Sequence, residues 1–171
     1  MSQTAATRAA TPETAKAWAA AASVCDPEIP VLTLEDLGVL RDVRTDGDGR
    51  TVVTITPTYS GCPAMLMMEV EILKALREAG FEDATVQTVL SPAWTTDWLS
   101  DAGREKLRAY GIAPPVRAST SRQALFGRDA VDCPQCGSSD TERVSEFGST
   151  ACKALYRCRA CAEPFDYFKC L

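Results

Sequence analysis

Apolar residues first recur at helical spacing over Ala15, Trp18, Ala19 and Ala22, the period that one buried helix face requires. Thr11 supplies a cap, with Pro12 and Glu13 in the first turn. The helix must end before Pro27, because a proline ring drives the preceding residue out of the α region. Asp26 to Pro30 is therefore read as extended. Thr33 to Gly38 reads as a short capped turn closed by glycine. The period then changes to two. Val39 to Thr45 and Thr51 to Thr56 predict two strands, joined by the turn Asp46-Gly47-Asp48-Gly49. Val53 and Ile55 alternate with Thr54 and Thr56, which predicts one buried face.

A loop, Thr58 to Pro63, leads into the next helix, with Pro63 at its first position. The helix is expected to run to about Ala79, with Leu66, Val70, Leu73 and Leu76 as its buried stripe and Gly80 as its stop. A strand over Thr85 to Leu90 follows. Trp94 and Trp98 then precede a short helix near Arg104 to Tyr110. Pro114-Pro115 and Ser119-Thr120-Ser121 argue against a regular element over 112–132. Ala124-Leu125-Phe126 is the one apolar spot there and is able to dock on either side. Further on, Glu142 to Phe147 and Ala154 to Arg157 read as strands around Gly148-Ser149, and Phe165 to Phe168 as a third. The pattern predicts an α+β chain with four parts. These are a disordered tail (1–11), a small α/β domain with a three-stranded sheet and helices (12–111), a connector (112–132) and a β-rich module (133–171).

Length and charge narrow the functional classes. The 171 residues fit one medium domain or two small ones. A net charge of −5 without a basic run disfavours nucleic-acid binding. There is no histidine, which excludes imidazole-dependent triads, dyads and zinc hydrolases. No stretch is apolar enough to span a bilayer, and Met1 to Arg8 lacks the pattern of a secretory leader. The expectation is a cytoplasmic protein. In that reducing compartment, clustered cysteines mean metal or redox chemistry rather than disulfides.

The cysteines carry the strongest signal. Cys133-Pro-Gln-Cys136 and Cys158-Arg-Ala-Cys161 are two Cys-x-x-Cys doublets separated by 21 residues. Each doublet folds into a knuckle with both sulfurs on one side, and two facing knuckles make a tetrahedral four-sulfur cage. Zinc is the first expectation, although the same cage suits a single iron. Four thiolates leave no open coordination position, so the role is structural. The 39 residues from 133 to 171 are too few for a self-sufficient core, so the metal is expected to supply folding energy. Five basic side chains (Arg143, Lys153, Arg157, Arg159, Lys169) balance five acidic ones (Asp140, Glu142, Glu146, Glu163, Asp166), which favours docking to protein over nucleic acid. Phe165, Tyr167 and Phe168 fit either a docking face or the module's own core. Cys152 and Cys170 are read as packing or edge thiols, with a second metal shell as the alternative, which lacks paired spacing.

Cys62 is the second candidate. At the start of a helix, free amides and the dipole favour a thiolate, which suits a nucleophile, a persulfide carrier or a transient metal ligand. A small buried apolar residue is the competing reading. Asp26 and Glu28, flanking Pro27, fit ligands or acid–base groups, and equally turn caps. Cys25 beside them is ambiguous.

The segment from Asp26-Pro-Glu-Ile-Pro to Leu37-Gly38, followed by Thr56-Pro-Thr-Tyr-Ser-Gly-Cys-Pro63, resembles the SufT-like iron–sulfur cluster assembly domain. Phe147-Gly-Ser-Thr-Ala-Cys-Lys-Ala-Leu-Tyr-Arg-Cys158 and Glu163-Pro-Phe-Asp-Tyr-Phe-Lys-Cys170 resemble the ribbon of the PaaD (PaaJ) family of phenylacetate-degradation proteins. The resemblance spans about residues 14–171. It implies an iron–sulfur-assembly-type domain followed by a zinc ribbon. It also implies a non-catalytic role in aromatic compound degradation, at the phenylacetyl-CoA epoxidase of aerobic phenylacetate catabolism. The implied partners are the epoxidase subunits, chiefly the iron–sulfur reductase or the di-iron oxygenase component. Cys62, with Asp26 and Glu28, would handle iron, sulfide or a transient cluster. The residues themselves agree on one point: with no histidine, Glu-x-x-His is absent, and no Gly-x-Gly-x-x-Gly occurs, so oxygenase and reductase chemistry lack their parts. A rubredoxin-like electron carrier and a nucleic-acid-binding ribbon are the alternatives.

Overall fold

The computed structural model describes residues 11–115 and 131–169. The N-terminal tail, Ala124-Leu125-Phe126 and Cys170 lie outside the described residues. Helix α1 (Pro12–Ala22) starts where the sequence predicts, and Thr11 and Thr14 cap each other reciprocally. Its buried face is Ala17, Ala21 and Ala22, with Trp18 half-buried. Ala15 and Ala19 face outward. An alanine-rich helix with one large side chain gives the period little to grip.

Strands β1 (Leu40–Thr45), β2 (Thr51–Ile55) and β3 (Thr85–Thr88) form one sheet in that order. β1 and β2 are antiparallel, and β3 runs parallel to β2. The crossover between β2 and β3 is helix α2 (Met65–Glu78). As the middle strand, β2 is buried along its whole length, so Thr54 is covered as well as Val53 and Ile55. The expectation of one buried face fails because a helix-covered central strand loses solvent on both sides.

α2 also departs from expectation. It begins at Met65 with Ala64 as its cap, and buries Met68, Ile72 and Leu76. Leu66 and Val70 are exposed at 72% and 51%. Met65 to Leu76 has apolar residues on both faces, so periodicity cannot choose between them. The side that meets α1 and the sheet wins.

The turn Thr33–Leu37 is tied down by Asp36. Its Oδ2 accepts from Thr33 N (3.1 Å) and Thr33 Oγ1 (3.0 Å), and its Oδ1 accepts from Ser100 Oγ (3.1 Å). Lys106 Nζ stands 2.6 Å from Oδ2. Ser100 caps α3 (Asp101–Tyr110), so one carboxylate joins the turn to a helix far along the chain. Burial alone would raise this carboxyl, but Lys106, Thr33 and Ser100 together hold it below its ordinary value. A carboxyl depressed in the fold stabilises above its unfolded value of about 3.9 and stops doing so as pH falls through its folded value. Asp36→Asn is therefore expected to cost about 2 kcal/mol at neutral pH, with the deficit shrinking as pH falls below the ordinary carboxylate value and through the lower folded one. Urea midpoints of both proteins across that range would show it, and a pH-independent difference would refute it.

The second sheet has the order β4-β7-β6-β5. β5 (Thr141–Ser145), β6 (Lys153–Cys158) and β7 (Pro164–Phe168) form an antiparallel meander. β4 (Ile112–Ala113) adds parallel to β7. The sequence predicts an irregular connector from residue 112. Instead, Gly111 ends α3 at φ +89° and turns the next two residues into the second sheet. Phe168, Cys152 and Ile112 join the hydrophobic core of the first half, and Phe168 meets Trp94 edge-on at 6.0 Å. The two halves therefore share a packed seam. Among the described residues, no helix is long and apolar enough to cross a membrane.

Candidate functional site

Two sulfur-bearing sites stand on strand β6. At its C-terminal end, Cys133, Cys136, Cys158 and Cys161 bring their Sγ atoms within 4.8 Å of one another. Cys133 and Cys161 are 3.8 Å apart, and Cys136 and Cys158 3.6 Å. A tetrahedral zinc with bonds of about 2.3 Å requires edges of about 3.8 Å, so the four sulfurs fit such a cation, zinc or iron. Each doublet turns tightly. Gly137 at φ +74° and Ala162 at φ +66° close the two knuckles. The Cys161 and Ala160 backbone N–H groups and the Cys136 thiol hold Cys158 down to about 7, the Cys161 amide most of all, against the cost of desolvation. Cys133 and Cys158 are buried, whereas Cys136 and Cys161 are exposed. Tyr156, Phe165 and Tyr167 pack beneath the cage, which makes them core rather than docking face.

The other site lies at the opposite end of β6, where Cys152 precedes the strand. Six residues of extended chain separate Cys152 from Cys158, about 20 Å. The first knuckle lies beside the end of α3, where Arg108 and Cys133 line one cavity, whereas Cys152 enters the first half's hydrophobic core. Its thiol donates to Glu28 Oε2 at 4.0 Å and lies 3.0 Å from Thr150 Oγ1.

Asp26 is buried, at 7% exposure. Its Oδ1 accepts from the N–H groups of Glu28 and Ile29, both at 2.7 Å, an Asx-turn that Pro27 favours. Desolvation raises the Asp26 carboxyl, and the two amides and the Lys153 ammonium oppose it. Glu28 is raised by burial and by the Asp26 charge. Structure thus brings Asp26 and Glu28 beside each other, with Lys153 as the neighbouring cation. Lys153 is itself buried, 3.6 Å from Asp166.

Cys62 belongs to the same neighbourhood, but not as a helix-start thiolate. It lies before α2, whose first residue is Met65. Burial is the main cause that pushes its thiol up, and the Glu28 and Asp26 charges add to it against the Ala64 amide and the Tyr59 hydroxyl. At neutral pH the resting group is a thiol. Tyr59 is pushed up to about 12 by burial and by Cys62, Glu28 and Cys152. Cys25 is exposed and sits in a bridge with Thr33. Cys152 is the residue that sequence reasoning favours as mere packing. It has no paired spacing, and only the fold brings it to Glu28.

Two family models match the chain: "Iron-sulfur cluster assembly protein" over residues 14–88 and "PaaD zinc beta ribbon domain" over residues 117–169. An Escherichia coli protein provisionally named as a subunit of 1,2-phenylacetyl-CoA epoxidase is 51% identical over 162 residues, covering 95% of this chain and 96% of that one. The Bacillus subtilis Fe-S protein maturation auxiliary factor YitW is 40% identical over 78 residues, 45% of this chain and 76% of its own length. Among solved structures, a domain of unknown function (DUF59) from Bacillus anthracis superposes with a TM-score of 0.51 at 27% identity, covering 56% of this chain and 91% of that one. With an end-to-end relative, an assembly-type first half and a zinc-ribbon second half, this chain belongs to the PaaD family.

Proposed function

We propose that this protein is a non-catalytic accessory subunit of a phenylacetyl-CoA epoxidase system in aerobic phenylacetate catabolism, and that it assists maturation of an iron–sulfur cluster or metal centre there. The observation that carries the reading is the setting of Cys62. A half-buried thiol feels the charges of two carboxylates, Asp26 and Glu28, in the half of the chain that matches the iron–sulfur assembly family. The relative that spans the whole chain is named as a subunit of that epoxidase.

Chemistry supports handling of iron or sulfide over turnover. A thiol flanked by carboxylates takes a thiophilic cation and releases it again, because a neutral resting thiol makes binding compete with protons. Asp26 accepts hydrogen bonds from two backbone amides, so Glu28 is the freer of the two carboxylates. The cage at the other end of β6 is closed and holds the module together. The cargo is iron or a cluster in transit, and the client is the iron–sulfur reductase or the di-iron oxygenase component. Such a protein works in the cytoplasm.

The test is to produce the epoxidase components with this chain, without it, and with Cys62→Ser. Clients made with the intact chain are expected to carry full iron and sulfide. Those made without it or with Cys62→Ser are expected to carry a small fraction of that, while Cys62→Ser itself keeps its zinc and its melting temperature. Full iron and sulfide in clients made without the chain would end the proposal.

A further inference from the structure

We propose that the outer edge of β3 and the adjoining flank of α2 form the contact through which two copies of this chain pair about a two-fold axis. The inference goes beyond the reading of Cys62 and does not depend on it.

The edge is the first argument. β3 is an outer strand of the first sheet, and among the described residues no strand lies on its far side. Proteins that stay apart guard such strands with charges, bulges or very short lengths. The other outer strands here are guarded in that way. β1 carries Arg41, Asp42 and Arg44 and a break in register between Leu40 and Asp42. β5 carries Glu142 and Arg143 and a break between Arg143 and Ser145. β4 has only two residues. β3 reads Thr85-Val86-Gln87-Thr88, uncharged, without proline and in unbroken register with β2.

The backbone selects the occupant. Val89 N–H donates to Ile55 O at 2.9 Å. Successive residues of a strand turn to alternate sides, so Gln87 also faces β2, and the N–H and C=O groups of Val86 and Thr88 point outward. A second β3, antiparallel and with the axis at Gln87, sets Val86 opposite the partner's Thr88 and Thr88 opposite the partner's Val86. Each pair exchanges both its hydrogen bonds, and no charge meets its like in the strand. A second copy therefore matches this edge by symmetry alone.

The helix flank is the third argument. Thr88 Oγ1 donates to Glu69 Oε1 at 2.9 Å, which marks the side of α2 nearest β3. Leu66 and Leu73 stand on that side, one turn to either side of Glu69, with Val70 next to them. Leu66 and Val70 are exposed, and so is Leu90 just past β3. Residues opposite each other in a ladder share a face, so the axis brings both α2 helices to one side of the joined sheet. As the crossover, α2 lies across β2 and β3. The two helices then run antiparallel about 10 Å apart, two strand spacings, which is the distance at which helices pack. Their apolar strips cover each other.

The experiment follows the full, zinc-loaded chain by sedimentation velocity over a series of concentrations. A reversible monomer–dimer equilibrium is expected. Val70→Lys places two ammonium groups close to the axis and is expected to weaken the dimer about a hundredfold. Thr88→Pro removes an outward N–H but spares the bonds to β2, and is expected to weaken it as well. Val144→Lys, an exposed position on β5, is the control and should leave the equilibrium unchanged. Melting temperatures show that each variant folds. Should Thr88→Pro fail to fold, hydrogen exchange of the intact chain reads the same edge: amides of residues 85–90 are expected to gain protection as concentration rises. A chain that stays monomeric throughout overturns the proposal. A dimer that Val70→Lys leaves intact, that Val144→Lys dissociates, or that forms without added protection at residues 85–90 overturns it too.

Discussion

Cys133→Ser, or removal of the metal by a strong chelator, is expected to unfold β5, β6 and β7 while leaving β1 to β3 and α2 folded. The second core is small: Ala113, Val131, Ala154, Tyr156, Phe165 and Tyr167 around the buried Cys133 and Cys158. That much apolar surface does not offset the ordering of the chain around it. Structural zinc contributes about 10–16 kcal/mol of apparent binding free energy in small domains, and a site with three thiolates loses much of it. Chelation also leaves four neighbouring sulfurs, two of them buried, without the cation that draws them together. Hydrogen exchange resolves the outcome by segment. Amides of residues 153–158 and 164–168 should lose protection without metal, and those around Ile72 and Leu76 should keep it. Undiminished protection of β6 in the metal-free protein would show that packing alone folds the module.

The second large effect is expected from Gly38→Ala. Gly38 sits at φ +69°, where an L side chain is strained. A Cβ there would stand 2.6 Å from both Trp98 Cβ and Trp98 O, a contact that backbone must move to relieve. The corner has little freedom to move. Trp94 Nε1 donates to Leu37 O at 2.8 Å, and the Arg41 guanidinium lies over the Trp98 ring at 3.5 Å. Left-handed strain and overpacking together are expected to cost about 3 kcal/mol. Against a typical stability of about 5–15 kcal/mol, that lowers the melting temperature by several degrees. A thermal scan by tryptophan fluorescence measures it. A midpoint that stays with the parent protein would mean the corner yields without cost.

Much of this was legible in the chain because local rules sufficed. Thr11 before Pro12, Gly38 after Leu37 and the Asp46–Gly49 turn are short-range signals, and each appears where expected. The paired cysteines declare their cage by spacing alone. What stayed hidden depends on neighbours far along the chain. The choice between Leu66 and Met68 as the buried side of α2 is made by α1 and the sheet. The short strand at Ile112 exists only because β7 lies beside it. The raised thiol of Cys62 follows first from burial in the fold and then from carboxylates more than thirty residues earlier, which no local reading of a helix start contains. Cys152 is the clearest case, since only the fold brings it to Glu28 on the other side of the seam.

The two residues of β4 also bear on how the molecule can be divided. They are supplied from the end of α3, yet they cover one margin of the ribbon's last strand. A fragment cut at the start of the ribbon match, residue 117, would leave β7 with a bare hydrogen-bonding edge and the ring of Phe168 without its tryptophan. Exposed edges of that kind recruit other chains. The ribbon is thus a poor candidate for exchange between proteins as a free cassette, and a graft that keeps α3 and Ile112–Ala113 carries its own cover.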